Sequence, residues 1–255
     1  MDIRLATEGL NRYKSASQRA RVGTEAWGAA NFFCPVCESP RLDVAPHGTA
    51  TLDYSCPKCD SPFQLKSQSK PFGAKILDSA YSQMRRAILT DCTPNLYVLH
   101  YDLTEWTVRT VILIPHFAFA LSAIERRPPL APTARRAGWV GCNILLNKIP
   151  QDARIPIVNN GTARPAAEVR RAYRRLRPLE ELKVEKRGWT LDVLNVVRSL
   201  NKPEFSLSDV YARTDELSKL HPDNRHVRDK IRQQLQILRD LGLLAFLGAG
   251  FYRLR

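Results

Sequence analysis

Two pairs of closely spaced cysteines restrict the fold of this chain more than any other feature of its sequence. Cys34-Pro-Val-Cys37 and Cys56-Pro-Lys-Cys59 are separated by 18 residues, a spacing typical of zinc ribbons and knuckles. Zn²⁺ prefers four tetrahedral ligands, which two tight turns supply from opposite sides, and four thiolates leave no open position for substrate. The sequence therefore predicts a structural zinc site, the alternative being four unligated cysteines with this spacing by chance.

The charge balance favours a polyanionic partner. The 255 residues include 39 Lys and Arg against 25 Asp and Glu, which leaves a net charge of +14, and nucleic acid is the first polyanion to consider. An anionic membrane is the weaker alternative, because no strongly amphipathic Lys-rich anchor lies beside a lipidation signal. No apolar run reaches membrane-spanning length, and the first ten residues lack the apolar stretch of a signal peptide. We therefore expect a cytoplasmic protein without a membrane partner, and a monomer in solution.

Hydrophobic periodicity predicts an α/β domain over residues 1–183 and a smaller helical domain over 184–255. In the first domain the pattern predicts helices, strands and one loop: helices at 13–30, 74–90 and from 164, strands at 49–54, 62–67, 96–101, 108–114 and 154–161, and a loop at 126–139. In the second domain, helical periods at 190–200, 206–220 and 223–241 precede two short apolar segments joined at 248–250. Three helices followed by a glycine-turned hairpin are typical of a winged helix.

Polar residues flank the second cysteine pair. Gln64 and Lys66 point to one face of their strand because side chains alternate with a period of two, and Asp53 can reach that face across the hairpin. An acid followed by an acid-x-Lys strand is the arrangement of PD-(D/E)xK nucleases, in which carboxylates hold a divalent cation and the lysine helps to activate water. Taken alone, the triplet is a weak signal, because such triplets are frequent by chance and a surface strand with a solvated Gln and Lys explains it better.

Several segments resemble those of the DpnI family of methyl-directed restriction endonucleases. They are RRPPLAPTARRAGWVGCNI (126–144), KIRQQLQILRD (230–240), YKSASQRAR and TEAW near the N-terminus, the cysteine pairs, LKS, and RGWT at 187–190. The likeness follows the same order along almost the whole chain. It implies a bacterial type II enzyme that cuts double-stranded DNA at GATC when the adenine carries a 6-methyl group.

The resemblance also implies a fold and a set of site residues. The fold is a PD-(D/E)xK core with a mixed sheet and a four-cysteine zinc knuckle insertion, followed by a winged helix. The catalytic residues are Asp53, Gln64 and Lys66, and the ligands of a catalytic Mg²⁺ or Mn²⁺ are Asp53, Gln64 and Leu65. The structural zinc ligands are Cys34, Cys37, Cys56 and Cys59.

One position departs from the family pattern. Gln64 stands where the family has glutamate, and the lost charge weakens the hold on a hard cation and favours Mn²⁺ over Mg²⁺. Glu25 and Asp60 are candidates for a compensating carboxylate. The departure leaves open a methyl-DNA-binding regulator whose nuclease has decayed; a zinc-containing transcription factor would explain the charge and the winged helix alone.

Two basic segments are candidates for contact with DNA. On the helix predicted at 223–241, Val227, Ile231, Leu235, Leu238 and Leu241 form the core side, and the other side carries the candidate contact residues Arg225, His226, Arg228, Arg232, Gln233 and Gln236. In the 126–139 loop, Arg135 and Arg136 suit phosphates and Trp139 suits a base or its methyl group. The alternatives are phosphate contact alone for the arginines and a Trp139 packed under its own loop, whereas Trp189 is predicted to be core.

Overall fold

The computed structural model describes residues 1–46, 49 and 52–255. Its helices are α1 (Ala16–Asn31), α2 (Tyr81–Leu89), α3 (Ala166–Leu176), α4 (Val184–Ser199), α5 (Leu207–Tyr211), α6 (Thr214–Leu220) and α7 (Val227–Asp240). Its strands are β1 (Asp43–Val44), β2 (Tyr54–Ser55), β3 (Pro62–Gln68), β4 (Lys75–Ala80), β5 (Asn95–Asp102), β6 (Thr107–Ile114), β7 (Ile124–Pro129), β8 (Val140–Leu145), β9 (Ile155–Asn159), β10 (Thr162–Ala163), β11 (Glu204–Ser206), β12 (Leu244–Gly248) and β13 (Phe251–Leu254). Short 3₁₀ helices cover Leu10–Arg12, His116–Ala118, Leu121–Ala123, Leu146–Lys148, Gln151–Ala153 and Arg177–Glu181.

A seven-stranded mixed sheet forms the centre of the N-terminal region. Its order is β1-β2-β3-β5-β6-β9-β10, with β3 and β5 parallel and the other neighbours antiparallel. Strands β5 and β6 are largely buried, which explains their nearly continuous apolar sequences. The mixed α/β class predicted from the sequence is confirmed.

An aromatic cluster joins the end of α1 to this sheet. The ring of Phe32 stacks on Tyr97 of β5 with centroids 3.9 Å apart, and it meets Tyr54 of β2 edge-on. The hydroxyl of Tyr97 donates a hydrogen bond to the carbonyl of Phe33 at 2.9 Å. These contacts fix the backbone directly before Cys34 against the strands that carry the polar residues of interest.

The hairpin predicted around the second cysteine pair is present, but its paired part is short. Strands β2 and β3 are antiparallel, with Tyr54 opposite Phe63 and Ser55 opposite Pro62. Residues 50 and 51 of the strand predicted at 49–54 lie outside the described residues. Asp53 precedes β2, and its amide N–H donates to the carbonyl of Phe63 at 2.9 Å, so the two chains remain adjacent beyond the paired residues.

The single helix predicted over 74–90 is wrong in its first half. Residues 75–80 form β4, which pairs with β8 in a three-stranded sheet of order β4-β8-β7, and only then does α2 begin. Ile76 and the side chain of Asp78 are buried, whereas Leu77 between them is 64% exposed. This period of two belongs to a strand, and the exposed leucine imitates the apolar spacing of a helix.

The loop predicted at 126–139 is also partly wrong, because its first four residues complete β7. This strand lies at the edge of its sheet, and its pairing with β8 shifts between Arg126 and Pro129. Proline lacks an amide N–H and is tolerated on edge strands and at such irregularities. The proline-rich sequence therefore permits a strand that its composition argues against.

The C-terminal domain has the predicted winged-helix character with two additions. The apolar period over 206–220 divides into α5 and α6, and β11 joins β12 and β13 in a sheet of order β11-β13-β12. Left-handed backbone at Gly248 and Gly250 turns the wing, with φ angles of 92° and 78°. In its core, the buried Thr190 hydroxyl donates to the side-chain oxygen of Gln234 at 2.7 Å.

Polar contacts connect α4 and α6 to the N-terminal region. Ser122 donates to Asp192 at 2.5 Å, and the buried Arg187 contacts Asp91. Lys148 also pairs with Glu216 at 3.1 Å. Within the described part of the chain, no helix is both long enough and apolar enough to cross a membrane.

Candidate functional site

The four predicted zinc ligands converge at the tip of the β2–β3 hairpin. Their sulfur atoms all lie within 4.8 Å of one another, with Cys34 and Cys59 3.7 Å apart and Cys37 and Cys56 3.5 Å apart. Zn–S bonds of about 2.3 Å in a tetrahedron place sulfurs about 3.8 Å from each other. The donor set and its spacing therefore fit Zn²⁺.

The surroundings of the cluster lower the pKa of the Cys56 thiol and raise that of Cys34. Burial alone raises the pKa of the Cys56 thiol, but the amide N–H groups of Lys58 and Cys59 and the nearby thiols outweigh it and bring the pKa to about 7. Burial raises the pKa of Cys34 well above the ordinary thiol value. Without a cation, four thiolates at this separation repel one another, so the cluster is suited to a metal that stabilises all four charges.

Arg170 of α3 holds the first cysteine turn in place. Its guanidinium donates to the carbonyl of Cys34 at 3.0 Å and to that of Ser39 at 2.9 Å, and it pairs with Glu38 at 3.0 Å. The same group lies over the ring of Phe33. One arginine on a neighbouring helix thus fixes the turn through backbone acceptors, which leaves the cysteine side chains free for metal.

The predicted hydrolytic residues share one cavity at the other end of the hairpin. Asp53, Gln64, Leu65 and Lys66 line a space of about 230 Å³. Helix α1 and the end of β3 complete its wall with Arg21, Thr24, Glu25 and Ser67. The predicted grouping of Asp53 with the polar face of β3 is thus present in space.

Asp53 is held against β3 by the backbone. Its Oδ2 accepts a hydrogen bond from the amide N–H of Leu65 at 2.7 Å. In an extended strand the carbonyl of a residue points to the same side as its amide, so Leu65 turns both groups toward the side on which Asp53 lies. The oxygen atoms of Asp53, Gln64 and Leu65 are hard donors of the kind that Mg²⁺ and Mn²⁺ prefer, and the set contains one negative charge.

Lys66 has a partner that sequence reasoning missed. Its Nζ lies 2.9 Å from Oδ1 of Asp78 on β4, whose side chain is only 1% exposed. Oδ1 lies off the hydrogen-bond direction and has no hydrogen-bond partner among the described residues, so charge alone holds this contact. The pairing of β4 with β8 shifts between Asp78 and Ala80, and such bulges re-aim side chains next to functional sites.

A sequence signal for Asp78 exists but was obscured by the helix prediction. In a strand, Asp78 shares the face of Ile76, and an acid on a buried face requires a positive partner. Asp78 also lines a second cavity of about 310 Å³ that reaches Gln64. Recognising β4 as a strand would have directed attention to this acid.

Of the two candidate compensating acids, one lies in the cavity and one does not. Glu25 lines the cavity with Asp53, and its carboxylate pairs with Arg21 at 2.7 Å. That contact is the main reason why the pKa of Arg21 is raised, with a smaller contribution from Asp53. Asp60 is exposed in the second cysteine turn with a left-handed backbone, and it does not line the cavity.

Trp139 is half-buried at the base of the loop between β7 and β8. A Cβ added to Gly141 would approach its ring to 2.8 Å, and the guanidinium of Arg136 lies 4.6 Å from the ring centre. The loop is closed by hydrogen bonds between Leu130 and Trp139, at 2.9 Å, and between Gly138 and Leu130, at 3.0 Å. The ring packs on its own loop, as the alternative interpretation expected, and Arg135 and Arg136 are exposed, so their contact with DNA stays a prediction.

Helix α7 begins at Val227, four residues later than predicted, so Arg225 and His226 precede it; the helix itself divides into the two predicted faces. Val227, Ile231, Leu235 and Leu238 are buried and Leu241 is half-buried, and the predicted contact residues Arg225, His226, Arg228, Arg232, Gln233 and Gln236 are all exposed. Arg228 and Arg232 lie over the ring of Tyr211 at 5.3 and 5.7 Å. Trp189 is buried, as predicted, and stacks on His221.

Comparison with protein families agrees with this organisation. Residues 1–182 match the model of the Dam-replacing family, also called the DpnI family, and residues 185–254 match the Dam-replacing HTH domain. The chain belongs to the Dam-replacing family. Membership indicates a methyl-dependent restriction endonuclease, and the HTH domain indicates that its partner is DNA. The predicted resemblance is therefore confirmed.

Proposed function

We propose that this chain hydrolyses phosphodiester bonds of double-stranded DNA at GATC sites whose adenine is methylated, as a metal-dependent type II restriction endonuclease. The observation that carries the proposal is the convergence of Asp53, Gln64 and Lys66 on one cavity in a member of the Dam-replacing family. We further propose that residues 1–183 form the nuclease domain and 184–255 the DNA-binding domain. The protein would act as a cytoplasmic monomer in a bacterium.

In this proposal the hydrolytic cavity positions the scissile phosphate through its oxygen donors. Asp53, Gln64 and the carbonyl of Leu65 would hold a Mg²⁺ or Mn²⁺ ion, which when bound lowers the pKa of water and polarises the phosphate. Asp53 is oriented for this role by the amide N–H of Leu65. Lys66 would orient the attacking water and offset the charge that develops on the phosphate.

The Lys66–Asp78 pair fixes the position of the lysine ammonium before DNA binds. Asp78 holds Nζ by charge at 2.9 Å, and Lys66 remains 24% exposed at the cavity. Approach of a phosphate supplies a second anion on the open side of Nζ. The lysine would then lie between Asp78 and the phosphate without a large change of rotamer.

Methylated adenine would be read by two surfaces. The first surface is the exposed face of α7, with Arg228, Arg232 and Gln233, together with Arg225 and His226 directly before the helix. It suits the major groove, where arginine pairs with guanine and glutamine with adenine. Arg135 and Arg136 suit phosphates beside the site, and Trp139 suits the apolar methyl. Because one methyl group contributes only about 1 kcal/mol by transfer, two reading surfaces would raise the preference multiplicatively.

A second function, a methyl-DNA-binding regulator with little nuclease activity, is favoured by the single carboxylate that the proposed metal ligands contain. Gln64 supplies no charge, and the Glu25 carboxylate is engaged by Arg21. In that case the protein would bind methylated duplex and leave it intact.

The deciding experiment is cleavage of one plasmid, prepared with and without adenine methylation at GATC, in Mg²⁺ and separately in Mn²⁺. Cutting confined to the methylated plasmid, and lost in Lys66→Ala while duplex binding is retained, supports the nuclease. Methyl-dependent binding without cutting in either metal supports the regulator. Equal affinity for methylated and unmethylated duplexes contradicts both.

A further inference from the structure

We propose that a pocket between the N-terminal region and the C-terminal domain binds a phosphate group through Arg154, Arg164 and Arg198. The pocket has a volume of about 320 Å³ and lies between the start of β9, helix α3 and the end of α4. None of its lining residues belongs to the hydrolytic cavity. It is therefore a separate site, and phosphate binding there does not depend on nuclease activity.

The charges in the pocket do not balance. Asp152 is the only acid among the described lining residues, and Arg198 takes both of its oxygens, at 2.6 and 2.8 Å. Arg164 pairs at 3.1 Å with Glu168, a residue of α3 outside the lining. Among the described residues Arg154 pairs with no acid, so the pocket keeps a net positive charge, and its three arginines come from separate parts of the chain.

Arg154 carries the argument because its side chain makes no hydrogen bond within the described residues. Its Nε is buried without a partner, and burial lowers the pKa of the guanidinium. An unpaired, half-buried charge destabilises a fold unless something outside the chain compensates it. Nε itself is closed to solvent, so a phosphate that enters the pocket would compensate the charge through the terminal N–H groups of the guanidinium.

Phosphate is the anion that this arrangement fits best. Guanidinium groups bind phosphate oxygens through parallel N–H donors, and arginine is the preferred residue where such forked contacts converge. Helix α3 extends the positive surface beyond the pocket: Ala172 lines it, and the exposed Arg171 and Arg175 lie one residue before and three residues after Ala172. The phosphate could belong to the DNA backbone outside the cleavage site or to free phosphate.

Thermal unfolding in inorganic phosphate tests the pocket directly. Wild-type protein should show a Tm that rises with phosphate at constant ionic strength, relative to chloride, because a ligand that binds the native state stabilises it. Arg154→Gln should weaken phosphate binding by about tenfold or more, since a charge-assisted contact is lost. Arg154→Lys keeps the charge but lacks the parallel N–H donors of a guanidinium. Its Tm should rise with phosphate less than that of wild type and more than that of Arg154→Gln. Arg85→Gln removes one exposed arginine of α2 outside the pocket and should respond like wild type.

The second arm identifies the source of the phosphate. Duplex affinity is measured without divalent metal over a range of salt concentrations. If DNA supplies the phosphate, Arg154→Gln reduces the salt slope by about one while Arg85→Gln does not. If Arg154→Gln loses the Tm response to phosphate but keeps the wild-type salt slope of duplex affinity, the pocket binds free phosphate. The proposal is overturned if wild type, Arg154→Gln and Arg85→Gln agree in both arms.

Discussion

The cysteine cluster and the cavity proposed for hydrolysis lie at the two ends of one short hairpin. They differ in how far their polar groups are already arranged for a ligand. In the cluster, four identical donors already stand at the separations that Zn²⁺ requires. In the cavity, the polar groups are held by other protein groups: Asp53 by the amide of Leu65, Glu25 by Arg21, and Lys66 by Asp78. The cluster needs only an ion, whereas under the proposed function the cavity would have to exchange these contacts for contacts with metal and DNA.

This difference shows where each end is vulnerable. A closed four-thiolate site contributes to folding and tolerates no change of ligand. In the cavity, Gln64 stands where the family pattern has glutamate, which leaves one carboxylate among the proposed metal ligands. We therefore expect substitutions at the cluster to act on the fold and substitutions at the cavity to act on activity.

The largest effect is expected for Cys56→Ser. The variant should lose bound zinc, from one ion per chain to none, because a buried ligand of the cluster is replaced by a hydroxyl. Structural zinc contributes about 10 kcal/mol in small zinc modules, so the hairpin should become susceptible to proteolysis. Zinc content and limited proteolysis are the measurements. Cys92→Ser, at an exposed cysteine outside the cluster, is the matched control and should retain the metal. Zinc retained in Cys56→Ser would contradict the four-ligand site.

Short-range sequence patterns predicted much of the cysteine cluster and of the cavity. The C-x2-C spacing predicted the cluster because tight turns fix the positions of their own side chains. The alternation in β3 placed Gln64 and Lys66 beside Asp53, and continuous apolar runs predicted β5 and β6. These features depend on neighbours that are close in the sequence.

Long-range contacts escaped prediction. Asp78 and Lys66 meet because β4 joins a second sheet, which its local pattern does not reveal when the exposed Leu77 imitates a helix. Within the described residues Arg154 has no side-chain partner, while the one acid of the pocket lining, Asp152, pairs with Arg198 of α4. Both facts follow from the packing of separate sheets and helices, so composition and periodicity give no access to them.

The second-largest effect is expected at Asp78, the buried acid that pairs with Lys66. Asp78→Asn should lower the free energy of unfolding by about 2 kcal/mol, less than for a fully buried pair because Lys66 is partly exposed. It should also reduce cleavage of methylated plasmid, because the carboxylate of β4 that holds the Lys66 ammonium is lost. Denaturant unfolding and a cleavage assay measure the two. In a double-mutant cycle with Lys66→Met, the second substitution should cost less in the Asp78→Asn background than in wild type. Strict additivity would show that the pair has no energetic coupling.

Gln64→Glu should have a smaller effect in the opposite direction. A second carboxylate among the metal ligands should raise Mg²⁺ affinity and cleavage by about tenfold, and it should reduce any preference for Mn²⁺. Calorimetry with Mg²⁺ and cleavage rates in both metals test this. Gln68→Glu adds the same charge to the same strand outside the cavity and should change neither. If Gln64→Glu binds Mg²⁺ no more tightly than wild type, Gln64 is not a metal ligand.

The smallest expected effect extends the comparison to the loop between β7 and β8. Trp139 lies against Gly141, and the guanidinium of Arg136 lies over its ring, so the ring is packed on its own loop before any DNA arrives. If it packs on the adenine methyl, Trp139→Ala should reduce the ratio of affinities for methylated over unmethylated duplex by about fivefold, the equivalent of about one methyl group. Arg135→Ala is the informative partner, because an exposed phosphate contact should weaken binding of both duplexes equally and reduce the salt slope. Band shifts with the two duplexes at several salt concentrations separate these outcomes. An unchanged methyl ratio in Trp139→Ala would assign the ring to the structure of its own loop and leave methyl reading to α7.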